Sequence, residues 1–468
     1  MHHATPDATL VLRRLVLLVC VMWLTGCATY SQHAMTMRES LLAGDFGQAR
    51  VLEEQKDPEQ QDVLACMEKG MLRQMTGDYS ASNNVWEVAK QRIETLYGIS
   101  VTETLGSVTI NDATRSYEGE RFEQVLLHAY MAMNYLMLDD IDDARVEMLQ
   151  ADVKMREWGE QPEEDPFVRY FAGMIYEALG EDDDALISYR KAHDVYLATR
   201  DTQHLEIPLM LKKDLLRLLA QEGLWNEYRQ RKAEFGMADF KPVKTGGQSG
   251  ELIVVLSNGL APVKKESAIM TFSPEVSDNV RIAFPVYEDQ PQRLNDARVV
   301  VGDDRYSLET VENIDALARH SLEEEMPMIM TRAVARAVIK YSSQKKAKDE
   351  NALAGFLMSV ANIATERADT RSWTTLPQVI QMARTTLPVG TQAVHIDLVN
   401  SAGYVVDSID DKVTIRADRP GFLIKHWVAP GQEQARARTQ PQSQPQPKQQ
   451  TYTRPTHVEN TPKVYTGF

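Results

Sequence analysis

Between residues 36 and 235, apolar side chains recur at helical spacing and are interrupted by short polar turns. The clearest stretch runs Arg169-Tyr-Phe-Ala-Gly173-Met-Ile-Tyr176, then Gly180, then Ala185, Tyr189 and Ala192. Weaker copies place Gly70, Gly77-Asp78-Tyr79, Ser82, Trp86 and Ala89 in one such layout, and Ala132, Tyr135, Asp139, Ala144, Met148 and Ala151 in another. Gly44-Asp45-Phe46 with Ala49 is a shorter echo, and Gly223-Leu224-Trp225 is a last one. The turn positions 44, 77, 139, 180 and 223 are unevenly spaced, so insertions separate the units. The largest falls near 95–120 and reads as a loop with a short extended piece, Ser107-Val-Thr-Ile110.

Beyond a polar, glycine-rich stretch at 236–250 the period changes from helix to strand. Strand-like runs occupy Glu251–Leu256, Val280–Val286, Ala297–Val301, Gln392–Leu398, Val405-Val406, Lys412–Arg416 and Gly421–Val428, with a hairpin turn at Gly302-Asp-Asp. Between the early and late strands, two amphipathic helices align Met330, Ala333, Val334, Ala337, Val338 and Tyr341, then Leu353, Phe356, Leu357, Val360, Ala361 and Ala364. A polar bridge, Ser342–Glu350, joins them. Residues 429–468 are rich in Gln, Pro and Thr and hold too few large aliphatics to bury a core. The pattern therefore predicts an α+β chain. An α-helical repeat array at 27–235 and a linker at 236–250 precede a β-rich, sandwich-like domain at 251–428 with a helical insertion at 322–386. A disordered tail at 429–468 follows.

The helical units resemble tetratricopeptide repeats, which place small residues where paired helices cross and an aromatic in the gap between them. Gly173 and Tyr176 match the first helix of that motif, Gly180 the turn, and Ala185, Tyr189 and Ala192 the second. Such arrays offer concave surfaces to extended partners. Further stretches are Glu123-Gln-Val-Leu-Leu-His128, Asp165-Pro-Phe167, Arg332-Ala-Val-Ala-Arg-Ala and Ala368-Asp-Thr-Arg-Ser-Trp373. With these, the whole arrangement resembles a family of uncharacterised bacterial lipoproteins carrying tetratricopeptide-like repeats. That resemblance brings no established activity and no catalytic residue.

The first 26 residues read as targeting. Arg13 and Arg14 precede the apolar run Leu15–Leu24, too short to serve as a stable membrane span. Leu24-Thr-Gly-Cys27 resembles a lipobox, which implies cleavage before Cys27, lipid on its thiol and anchoring to a membrane on the periplasmic side. Ala28, where the enterobacterial sorting rule would need aspartate for inner-membrane retention, implies the outer membrane. Of three cysteines only Cys66 then remains, so no internal disulfide forms, and its apolar neighbours mark it as a buried structural thiol. The formal charge of −16 argues against nucleic-acid binding.

Chemistry-bearing motifs are scarce. The ten histidines show no metal-ligand spacing, no phosphate-binding loop is present, and no cofactor is called for. Ser342-Ser-Gln-Lys345, Ser277-Asp-Asn279 and Lys244-Thr-Gly246 spell the three short motifs of penicillin-binding enzymes, but in reversed order and in the wrong local context. Two segments stand out as candidate contact sites. One is the 95–120 insertion with Tyr97, Asn111, Asp112, Arg115 and Tyr117. The other is the loop holding Asp369, Arg371 and Trp373, whose structural alternative is an Asp369–Arg371 pair and a tryptophan plug. The expected role is a membrane-anchored scaffold binding a protein partner in envelope assembly, with regulation of peptidoglycan synthases and hydrolysis as the competing readings.

Overall fold

The computed structural model describes residues 35–54, 62–107, 116–157, 164–242, 247–273, 278–289, 296–350, 367–400 and 402–428. Residues 1–34, with Cys27, and residues 429–468 lie outside them. Ten helices among these residues form five hairpins. Residues 35–42 (α1) pair with α2 (Phe46–Glu54), and α3 (Val63–Met75) with α4 (Tyr79–Ser107). The other pairs are α5 (Arg121–Met137) with α6 (Ile141–Glu157), α7 (Pro166–Ala178) with α8 (Asp182–Gln203), and α9 (Leu209–Gln221) with α10 (Trp225–Glu234).

The five expected turn positions are the five hairpin turns, each with positive φ: Gly44 at 75°, Gly77 at 81°, Asp139 at 65°, Gly180 at 77° and Gly223 at 70°. Asp139 takes the left-handed conformation without being glycine, and its carboxylate is gripped by Arg416 at 3.1 Å and Arg419 at 2.6 Å. The small residues sit where the helices touch. A Cβ on Gly173 would lie 2.5 Å from the Tyr189 ring, and one on Gly70 2.1 Å from the indole of Trp86. Both rings are fully buried, so Gly173→Ala is expected to cost about 1–3 kcal/mol by overpacking, measurable as a lower urea midpoint with an unchanged slope.

Ten strands follow: β1 (Ser249–Asn258), β2 (Lys264–Ser273), β3 (Asp278–Tyr287), β4 (Asp296–Val301), β5 (Asp304–Ser307), β6 (Glu309–Asn313), β7 (Val379–Pro388), β8 (Gly390–Val399), β9 (Val405–Ile415) and β10 (Gly421–Trp427). One sheet has the order β10-β1-β7-β6, with β1 and β10 parallel, and a second has the order β5-β4-β8-β9. Strands β2 and β3 form a separate ribbon packed on the long helix α11 (Ile314–Glu350) through Val280, Ile282, Ala333 and Ala337.

The first sheet is buried on both faces. Leu252, Val254 and Leu256 meet Val299, Val394 and Ile396 of the second sheet, while Ile253 and Val255 pack into the helices. This explains why β1 reads as an unbroken apolar run instead of an alternating one. It also corrects the expected separation at 236–250. Helices and strands share one core, and the described residues belong to a single compact unit.

Three local expectations are corrected as well. The 95–120 segment is not a loop at its start, because α4 continues to Ser107 and takes in Gly98. A lone glycine costs a helix only about 1 kcal/mol and does not end it without a cap. The polar bridge Ser342–Glu350 is not a break, because α11 runs through it. That helix begins at Ile314, with Pro327 inside it, so the 322 boundary falls within a helix. The late boundary at 386 falls inside β7, whose Gln381 and Thr385 had hidden the strand pattern. The second amphipathic helix expected at 353–364 lies outside the described residues.

Candidate functional site

The inner face of the repeat array is not free. The first helix of each pair, α3, α5, α7 and α9, is buried almost throughout, with the first sheet of the same chain against it. Polar contacts hold the seam: Tyr130 Oη to Ser257 Oγ at 3.1 Å, His426 Nε2 to Gln74 Oε1 at 2.8 Å, and Tyr196 Oη donating to the Val311 carbonyl at 2.6 Å. The concave surface expected to receive an extended partner is therefore filled by the chain itself.

A polar cavity of about 390 Å³ opens instead where the two candidate segments meet. Its walls come from residues 116–121, Lys264 of β2, Glu325, Met328 and Arg332 of α11, and Asp369 with Arg371. Arg371 lies over the Tyr117 ring at 5.2 Å from its centroid and is clamped by Asp369, with Nη2 to Oδ2 at 2.7 Å and Nε to Oδ1 at 2.9 Å. Burial works against the guanidinium charge, but the Asp369 carboxylate outweighs it and raises the Arg371 pKa.

Glu123 ties the two segments together beneath the cavity. It accepts hydrogen bonds from the Trp373 backbone N–H at 2.8 Å, the Glu120 backbone N–H at 3.0 Å and the Tyr117 hydroxyl. With Glu120 it forms the capping box that starts α5. Burial pushes its carboxyl up to about 7 despite the donors. Glu120 also pairs with Lys264 and accepts from Ser321 Oγ at 3.0 Å. Burial lowers the Lys264 pKa, partly offset by Asp369 and Glu325.

Glu123→Gln puts an amide donor where donors converge and is expected to cost about 1–3 kcal/mol. The wild-type carboxyl is raised in the fold, so its contribution is full at low pH and falls as pH climbs from about 4 toward 7. The deficit of the variant should therefore narrow over that window, as read from urea unfolding at a series of pH values.

Of the sequence candidates, Tyr117, Asp369 and Arg371 converge here. Trp373 does not reach the surface. At 1% exposure it plugs the core, edge-on to Trp86 and Tyr130 with centroids 6.1 Å away in each case, so it supports the loop and offers nothing to a partner. Tyr97 lies in α4, its side chain outside the described residues, as are Asn111, Asp112 and Arg115. The roles of Glu120 and Glu123 are not evident from sequence although the E-x-x-E pair marks a helix start, and Lys264 gives no signal because β2 carries no clean alternation.

Neither cysteine nor histidine lines the cavity, and Ser321, which donates to Glu120 Oε2, is not among its lining residues. Cys66 is buried in the helical core, where burial pushes its thiol up and keeps it protonated. Ser342 to Lys345 fall within α11, and the other two enzyme-like strings lie wholly or partly outside the described residues. Among the described residues no group of histidine, cysteine, aspartate and glutamate is placed to hold a metal, and no helix is long and apolar enough to cross a membrane.

No known family profile matches the chain, and no curated protein does. Solved structures that superpose on part of it include several of MamA. One from AMB-1 is 16% identical with a TM-score of 0.29, over 45% of this chain and 93% of that one. Another is 14% identical with a TM-score of 0.27, over 46% and 97%. Superpositions this loose bear on neither the cavity nor its chemistry, and the repeat character rests on the helix pairs, turns and crossing glycines described above.

Proposed function

We propose that this chain is a non-enzymatic protein-interaction scaffold of the bacterial envelope, lipidated on Cys27, held at the outer membrane facing the periplasm, and contacting a protein partner around the Tyr117–Arg371 cavity. The observation that carries the reading is the convergence there of two loops, joined by the Glu123–Trp373 hydrogen bond across 250 residues of sequence. Rigid loops rich in arginine, tyrosine and paired charges are the usual material of contact surfaces. The helical array serves as a frame, since its inner face is already occupied.

A photoreactive residue in place of the exposed Met328 at the cavity mouth tests the contact in intact cells. One defined envelope protein should be captured there and not from Tyr404, an exposed control that does not line the cavity. Equal capture at both positions would sink the reading, and a peptidoglycan synthase as the captured protein would turn it into regulation of that enzyme. Metabolic labelling with a radioactive fatty acid tests the anchor, with loss of label expected in Cys27→Ser.

A further inference from the structure

The seam between the array and the sheet contains a pair of acids whose hydrogen bonding is incomplete without a proton. Asp165 caps the N-terminus of α7, its Oδ1 accepting the Val168 N–H at 2.8 Å. Glu312 sits where the β6–β7 register shifts, and its Oε1 accepts the Asn313 N–H at 2.9 Å. The residues are 4% and 0% exposed. Their remaining oxygens, Asp165 Oδ2 and Glu312 Oε2, have no donor among the described residues, and the two carboxyl groups lie close enough to act directly on each other. Ionised carboxylates only accept, so two of them in contact need a proton between them.

The surroundings supply no substitute. From α7 the facing cation is Arg169, which is occupied by Glu164 at 2.7 Å and by Asp152. Tyr196 of α8 donates to the Val311 carbonyl, and Tyr130 of α5 is engaged with Ser257. Glu309, at the start of β6, adds negative charge to the neighbourhood and is itself bound to the N-terminus of α9 through the Met210 N–H at 3.1 Å. Burial raises Asp165 to about 6, and burial with the Asp165 charge raises Glu312 well above its ordinary value.

We propose that Asp165 and Glu312 share one proton that fastens α7 of the repeat array to β6 of the sheet, so that this seam is a latch that loosens as the proton leaves. Both acids are raised in the fold, so the folded state keeps a proton that the unfolded chain has released above about pH 4. The latch is therefore closed in acid and opens as pH rises through and beyond neutrality. Glu309, Arg169 and the two tyrosines keep their roles in both states, which leaves the carboxyl pair as the moving part.

Hydrogen exchange of the full chain, followed by mass spectrometry on peptides spanning 164–178 and 304–316, reads the latch directly. Wild-type exchange there should accelerate between about pH 6 and 8 by more than the tenfold per pH unit that base catalysis alone produces. Glu312→Gln carries its own donor toward Asp165 and should show only the base-catalysed rise, while remaining folded. Asp165→Asn, which still caps the helix, should behave alike. Excess acceleration persisting in both variants would overturn the proposal. So would its absence from the wild type, or failure of both amide variants to fold, because each supplies the donor that the proton is said to provide.

Discussion

Replacing Arg384 by methionine is expected to destabilise the folded chain by about 3–5 kcal/mol in urea denaturation at neutral pH. Arg384 projects from β7 into the helical array, where Nη2 meets Glu177 Oε1 at 2.8 Å, Nη1 meets Asp214 Oδ2 at 3.2 Å, and Nε meets Glu251 Oε2 at 3.1 Å. Arg217 bonds the same Glu177 oxygen at 2.7 Å, and the hydroxyls of Tyr189 and Tyr170 donate to Glu177 and Asp214 at 2.7 Å each. Removing one guanidinium leaves three buried or half-buried carboxylates with a single cation. Water reaches Glu177 and Glu251 only at their edges, at 13% exposure, and the penalty of the poorly paired charge dominates.

The pH dependence follows from Glu177. Burial would raise its carboxyl, but Arg384 and Arg217 outweigh it and hold it well below the usual carboxylate range. A depressed acid stabilises above its unfolded value and loses that contribution as pH falls toward the folded one. The deficit of Arg384→Met should therefore narrow progressively below about pH 4. An unchanged midpoint at pH 7 would mean that the cluster is solvated and does not dock the sheet to the array.

Trp373→Ala is expected to be of similar size, about 3–5 kcal/mol, for a different reason. The indole fills the junction between α3, α4, α5 and the loop after α11, against Trp86 and Tyr130. Its removal leaves a void that helices fixed by their own turns cannot close. Its Nε1 has no hydrogen-bond partner among the described residues, so Trp373→Phe loses shape and no polar contact, and should cost less than half as much. Equal losses for the two variants would show that the indole nitrogen matters after all. Because Trp373 N–H binds Glu123, the alanine variant should also loosen the cavity, visible as faster exchange at residues 116–124.

Local sequence signals carried far. The turns at 44, 77, 139, 180 and 223, the crossing glycines and the starts of β1, β3, β4, β8 and β10 were all legible. Each depends on a residue's own backbone freedom, or on a period of 3.6 or 2 within one element. Where the signal was diluted, the reading failed. Pro327 and the run of glutamates before it concealed the first half of α11, and polar residues inside β7 concealed a central strand. Gln381 and Thr385 are buried there, a burial that no alternation rule anticipates.

The sequence by itself thus determined where most of the helices lie and turn and that strands follow them, and it offered an Asp369–Arg371 pair with a tryptophan plug as one of two readings of that loop. Only the tertiary structure decided what those elements face. It set the first sheet against the inner face of the array, sent Trp373 into the core while leaving Arg371 over Tyr117, and brought Lys264 to Glu120 across 144 residues. It also buried Asp165 against Glu312. The physical reason is that hydrophobic periodicity reports which side of an element is buried and not against which partner. Apolar burial is non-directional, and the partner is chosen by the packing of all the elements together.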